Sequence, residues 1–167
     1  MSLELKLQKL SPESFAPFGD VIETNGAERL IINEGTTERF HDLANIDVAM
    51  ENGHPLINIF RGTPRPQPIE IKMMERHPLG SQAFIPLQDR PYLIVVAPLG
   101  DSVGLEDLHA FEAAGHQGVN YKRDLWHHPL LVLEEGHEFL VIDRGGSGDN
   151  CIEHWFTAQQ GTARIAL

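Results

Sequence analysis

A single cysteine, Cys151, is all that the 167 residues contain. That excludes an intramolecular disulfide, a zinc ribbon and a CxxC redox pair, each of which needs a second thiol, and it fits a reducing cytoplasm. Basic residues are scarce as well. Thirteen Lys and Arg stand against 24 Asp and Glu, giving a formal net charge of −11, and the longest basic run is Lys122-Arg123. Binding to nucleic acid or an anionic membrane needs a basic face to neutralise phosphates, so neither partner is expected. No stretch approaches the roughly 18 consecutive apolar residues of a membrane helix. Near the start, Glu4 and Lys6 interrupt Leu3, Leu5 and Leu7, unlike the apolar segment of a signal peptide. A soluble cytoplasmic protein is the expectation. No repeat, low-complexity tract or linker divides the chain, so residues 1–167 are expected to form one domain with one sizeable core.

What the chain does have is punctuation. Gly or Pro recurs at Gly53, Pro55, Gly62, Pro64, Pro66, Pro68, Pro78, Gly80, Pro86, Pro91, Pro98, Gly118, Pro129 and Gly136. Between these breaks lie short strand candidates at 29–33, 56–61, 69–73, 83–87, 92–97, 119–121, 130–133 and 138–143, with another at 151–156. The alternation of Leu3, Leu5 and Leu7 adds a half-buried strand at the start. Many short strands at this spacing predict a mainly β protein, an antiparallel sandwich or barrel with a few short helices. Ser11-Pro12-Glu13 supplies an N-cap with proline at the first helical position. A second helix is expected over 105–114, with Leu105, Leu108 and Glu112 near one face and Gly115 as its left-handed stop.

Glu75 and His77 are two apart, so on a strand both point to one side. Gln82 follows, and His127 comes some fifty residues later within Tyr121-Lys-Arg-Asp-Leu-Trp-His-His-Pro129. Glu-x-His, then four residues and Gln, is similar in spacing to the His-x-His and Glu of many metal-binding cupins, with a later His as the last ligand. Imidazole, carboxylate and amide oxygen together would suit a borderline divalent ion such as nickel, zinc, iron or manganese. The alternative is a set of hydrogen-bonded polar groups lining a pocket without metal. His127 and His128 face opposite ways on a strand, so at most one enters the interior. Arg61, Arg76, Arg123 and Arg144 are candidate clamps for a substrate carboxylate, although Arg76 would face away from Glu75 and His77. Gly145-Gly-Ser-Gly148 lacks the lysine of a phosphate loop, and there is no nucleophile elbow.

Five segments in order carry a wider likeness: Glu38-Arg-Phe-His-Asp-Leu-Ala44, Glu75-Arg-His-Pro-Leu-Gly-Ser-Gln-Ala-Phe-Ile-Pro86, Gln117-Gly-Val-Asn-Tyr121, Trp126-His-His-Pro-Leu130 and Ile142-Asp-Arg-Gly-Gly-Ser147. Together they resemble the ureidoglycolate lyase family, also called ureidoglycolate hydrolase. The resemblance implies a cupin-like β-barrel, a homodimer, and cleavage of ureidoglycolate to glyoxylate and urea in allantoin and purine-nitrogen breakdown. It also implies a divalent metal, nickel in some members. Gly148 is an insertion relative to the family pattern.

On that reading His77, His127 and Glu75 transfer protons or, with Gln82, hold a metal. Gln82 and Tyr121 orient the ureido group, and an arginine, Arg61 or Arg144, grips the carboxylate. Two other classes stay open, a non-catalytic module that binds a small carboxylate and a different metal-dependent cupin enzyme, because a fold does not fix a function.

Overall fold

The computed structural model describes residues 2–167. The first elements are β1 (Ser2–Glu4), β2 (Leu7–Lys9), the short helix α1 (Pro12–Phe15), β3 (Gly19–Ile22), β4 (Glu28–Ile32) and β5 (Thr37–His41). The middle of the chain forms β6 (His54–Gly62), β7 (Ile69–Ile71), β8 (Met73–Arg76), β9 (Gln82–Pro86), β10 (Tyr92–Ala97) and β11 (His109–Ala113). There follow β12 (Gly118–Tyr121), β13 (Trp126–His127), β14 (Leu131–Val132), β15 (His137–Gly145), β16 (Ile152–Trp155) and β17 (Thr162–Ile165).

Among the described residues these strands build three stacked sheets and one separate hairpin, β4-β5. A small outer sheet runs β1-β17-β7, a middle sheet runs β16-β8-β13-β10-β11-β2 with β14 also on β10, and a third runs β3-β12-β9-β15-β6. The sheets stack as a sandwich and do not close into a barrel, which is the layered form of the expected fold class.

The alternation of β10 explains the layering. Leu93, Val95 and Ala97 point into a core shared with Ile69, Ile71, Ala163 and Ile165 of the outer sheet. Tyr92, Ile94 and Val96 point the other way, into a core shared with Phe84, Val119, Tyr121, Phe139 and Val141 of the third sheet. A strand buried on both faces reads as a continuous apolar run, and each such side chain contributes roughly 1.5–3 kcal/mol when fully buried.

Residues 105–114 do not form the expected helix. Leu105–Asp107 is a single 3-10 turn, and His109–Ala113 is a strand, antiparallel to β10 and parallel to β2. The reason is the central sheet: as a strand, this segment places Ala110 in one core and Phe111 and Ala113 in the other, which a helix could not do. Gly115 stops no helix; it passes close under the backbone of Asp89 and Arg90, where a Cβ would lie 2.2 Å from Arg90 N. The N-terminal cap is where the sequence places it. Ser11 and Ser14 satisfy each other's backbone N–H through their hydroxyls, each at 3.1 Å, which is the reciprocal capping arrangement. Among the described residues no helix is long and apolar enough to cross a membrane.

Candidate functional site

The site lies at one end of the core between the middle and third sheets, where the inward residues change from apolar to polar. On the middle sheet, Glu75 of β8 is directly opposite His127 of β13, and directly opposed residues project to one face. His77 follows just beyond the end of β8. The ligand atoms of Glu75, His77 and His127 lie within 4.8 Å of one another. Glu75 Oε1 is 3.4 Å from His127 Nε2 and 3.8 Å from His77 Nε2.

Both imidazoles are oriented by the main chain. His77 Nδ1–H donates to the Asn150 carbonyl at 2.7 Å, and His127 Nδ1–H donates to the Leu125 carbonyl at 2.9 Å. A carbonyl only accepts, so the proton of each neutral ring is on Nδ1 and the lone pair is on Nε2. Both Nε2 atoms are buried and complete no hydrogen bond with the protein. Two converging imidazole lone pairs beside a carboxylate, with the far nitrogens pinned, fit a divalent cation. They equally fit a proton shared between carboxylate and imidazole.

The electrostatics follow from the same geometry. Burial raises the Glu75 carboxyl, but His127 and then His77 outweigh it, and the net result is a lowered pKa. Burial, and after it the neighbouring His127, keep His77 below the usual imidazole value. Tyr121 stacks on His127 with ring centroids 4.7 Å apart, and burial followed by the Glu75 charge raises its phenol.

On the third sheet, Tyr121 of β12 pairs with Gln82 of β9. Gln82 Nε2 donates to Asp143 Oδ2 of β15 at 3.4 Å, and Asn58 of β6 donates to Asp143 Oδ1 at 3.0 Å. Burial raises the Asp143 carboxyl, while Gln82, His77 and Asn58 draw it back. A cavity of about 270 Å³ opens here, lined by His77, Ser81, Asp143, Arg144, Asn150 and Cys151.

The structure thus brings Glu75, His77, His127, Gln82 and Tyr121 to one region. Arg144 also reaches the cavity, but it is buried, and its Nε and Nη2 donate to the carbonyls of Met50, Glu51 and Ser147. Only Nη1 is outside these bonds. Arg61 is not brought in; it sits on the edge strand β6, exposed and paired with Glu138 at 3.0 Å. Arg76 packs on the other face of its strand, 5.1 Å over the Trp126 ring and 2.7 Å from Asp124. Arg123 pairs with Asp47 at 3.1 Å.

Sequence reasoning missed four contributors. Ser81 and Asn150 sit in turns without a motif. Cys151 Sγ lies 3.9 Å from Glu75 Oε2, near enough to form a second cluster with Glu75 and Glu153. Asp143 could have been found only by pairing β15 with β9.

His128 faces away from this group and donates its Nδ1–H to the Pro129 carbonyl at 2.8 Å. Burial pushes its pKa from 6.5 to about 4. Between those values the unfolded chain binds a proton that the folded chain does not, so this residue's contribution to stability is complete above about pH 6.5 and falls as the pH approaches 4. The loss is roughly 3 kcal/mol at most. Urea unfolding across this range should show the decline, and a His128→Gln variant should flatten it; an equally steep decline in the variant would assign the acid sensitivity to other groups.

Residues 2–162 match the family described as ureidoglycolate lyase. The chain belongs to the ureidoglycolate lyase family. A protein named ureidoglycolate lyase from Burkholderia mallei (strain NCTC 10229) is 59% identical over 149 residues, covering 89% of this chain and 87% of its own length. One of the same name from Pseudomonas putida (strain W619) is 53% identical over 156 residues, 93% of each chain. Another, from Pseudomonas syringae pv. syringae (strain B728a), is 52% identical over 157 residues, 94% of this chain and 92% of its own. The matched length of the family contains every residue of the polar group described above.

Proposed function

We propose that this protein is a ureidoglycolate lyase, cleaving ureidoglycolate to glyoxylate and urea in the breakdown of allantoin and purine nitrogen. The observation that carries the reading, beside family membership, is the convergence of His77 Nε2 and His127 Nε2 on Glu75, next to the cavity that His77 lines. Ureidoglycolate is a carbinolamide. Its cleavage needs one group to take the hydroxyl proton and another to give a proton to the departing nitrogen, while the C–N bond breaks and the aldehyde C=O forms. No covalent intermediate is required.

Glu75, His77 and His127 supply these proton transfers, since carboxylate and imidazole stand close enough to exchange a proton through the substrate. Tyr121 and Gln82 orient the ureido group from the facing sheet. Arg144, the one arginine lining the cavity, is the candidate for the substrate carboxylate through Nη1. Glu75, His77 and His127 would hold a divalent cation such as nickel, which when bound acidifies the hydroxyl.

Release of urea and glyoxylate from ureidoglycolate, before and after exhaustive chelation and with nickel, zinc or manganese restored, tests both levels of this reading. Cleavage that vanishes on chelation and returns with one metal assigns the cluster as ligands. Cleavage that survives leaves the same residues as acid, base and orienting groups. No cleavage under any condition removes the lyase reading and favours a carboxylate-binding module.

We also propose that the protein is one cytoplasmic domain that works as a homodimer. Support comes from β6, an edge strand with Ile57 74% and Ile59 54% exposed, because a long apolar edge invites a second strand. Sedimentation should give a dimer that Ile57→Lys shifts toward monomer; a monomeric wild type at micromolar concentration would defeat the proposal.

A further inference from the structure

Gln82 is buried, its Nε2 faces the Asp143 carboxylate, and its Oε1 is buried with no hydrogen-bond partner. A carboxylate can only accept, so the atom facing Asp143 must be the NH2 group and the free atom must be the carbonyl oxygen. Asp143 is held in turn by Asn58, whose NH2 donates to its other oxygen. The three residues lie on the adjacent strands β9, β15 and β6 of the third sheet, with Asn58 opposite Val141, two residues from Asp143. A buried acceptor left without a donor is costly unless a ligand supplies one. The ureido group of the proposed substrate is rich in N–H donors and has only one carbonyl.

We propose that Asp143, oriented by Asn58, is a positioning residue that sets the Gln82 amide with its carbonyl toward the cavity, so that the site selects substrates presenting a ureido N–H. The inference rests on the lyase reading above and adds to it the means by which the ureido group is recognised. The relay is directional. Asn58 and Gln82 each donate a hydrogen bond to Asp143, and Gln82 is left with its carbonyl oxygen to accept from the substrate.

The direction can be reversed and restored by exchanging one atom type at two positions. In Asp143→Asn, Asn58 still donates to the remaining oxygen, so the introduced NH2 faces Gln82. Two NH2 groups then oppose each other, and Gln82 turns over, presenting its own NH2 to the ureido N–H. In the double variant Asp143→Asn/Asn58→Asp, the carboxylate now at position 58 accepts from the introduced NH2. The amide oxygen at position 143 then faces Gln82 again, and the original orientation returns.

Wild-type cleavage of ureidoglycolate tests the lyase reading; comparison of the variants tests the relay. Asp143→Asn should lower kcat/KM by about 10- to 100-fold, mainly through KM, and the double variant should recover to within a few-fold of wild type. Side-chain amide hydrogen exchange of Gln82, followed by ¹⁵N NMR, gives a readout that needs no turnover: protection in wild type, loss in Asp143→Asn and return in the exchanged pair. The proposal is overturned if the single variant keeps wild-type KM and protection, or if the double variant is folded but no better than the single. The second result would instead fit a proton-transfer role for Asp143, which a carboxylate moved to position 58 cannot assume.

Discussion

Replacing His127 by Ala should lower turnover by about 10²–10⁴-fold, the usual contribution of a general acid or base. The side chain is 2% exposed and stacked on Tyr121, so its removal also leaves space beside Glu75. The resulting loss of packing would lower the melting temperature without abolishing the fold, because His127 ends the two-residue strand β13 and the apolar cores lie deeper. His127→Gln separates these effects. It fills much of the space but cannot exchange a proton near neutral pH, so its turnover should stay as low as that of the Ala variant while its melting temperature recovers. Steady-state urea release together with thermal unfolding makes the comparison. A folded His127→Ala protein with near-normal turnover would remove His127 from the chemistry.

The largest stability effect is expected at Arg144. Its guanidinium gathers the Met50, Glu51 and Ser147 carbonyls, tying the segment before β6 to the glycine-rich turn after β15. Removing it takes these donors from the Glu51 and Ser147 carbonyls and leaves the Met50 carbonyl with only the Gly53 N–H. Hydrogen bonds to a charged group contribute about 1.5–3 kcal/mol each, so Arg144→Ala should destabilise by roughly 3–5 kcal/mol once partial hydration of the carbonyls is allowed. In a chain of this size that lowers Tm by about 10 °C or more. Arg144→Lys should recover little, because one ammonium cannot span three carbonyls as the planar fork does. Two glycines make the room: a Cβ at Gly53 would lie 2.3 Å from Arg144 Nε, and one at Gly80 would lie 2.6 Å from Arg144 Cβ. Calorimetry that showed an Arg144→Ala protein within 1 kcal/mol of wild type would show that this clasp does not hold the two segments together.

The strands at 92–97, 83–87 and 138–143 were legible because their apolar and β-branched residues have no helical alternative of comparable burial. The strand at 109–113 was not. Its local pattern suits a helix, and only β10 and β2 on either side, distant in sequence, reward the extended form. The site divides in the same way. Glu75 and His77 could be read as neighbours from their spacing, and the cupin-like ligand spacing pointed to His127. Asp143 and Asn58 depend on which strands lie beside β9, and Cys151 on how the turn after β15 returns along β8, none of which is encoded locally. Arg144 shows the opposite failure, since its charge suggested a free clamp while backbone carbonyls of two flanking turns, invisible in the sequence, claim most of its donors.

The two imidazoles take their tautomers from peptide carbonyls, at Asn150 and Leu125, and not from side chains. A carbonyl has no identity to mutate. Substitution at either position changes what hangs from the chain but leaves the acceptor in place, provided the backbone keeps its path. The ring orientation at this site is therefore insulated from point mutation and exposed to insertions and deletions, so drift in the length of the turn around Gly148 threatens it more than drift in composition.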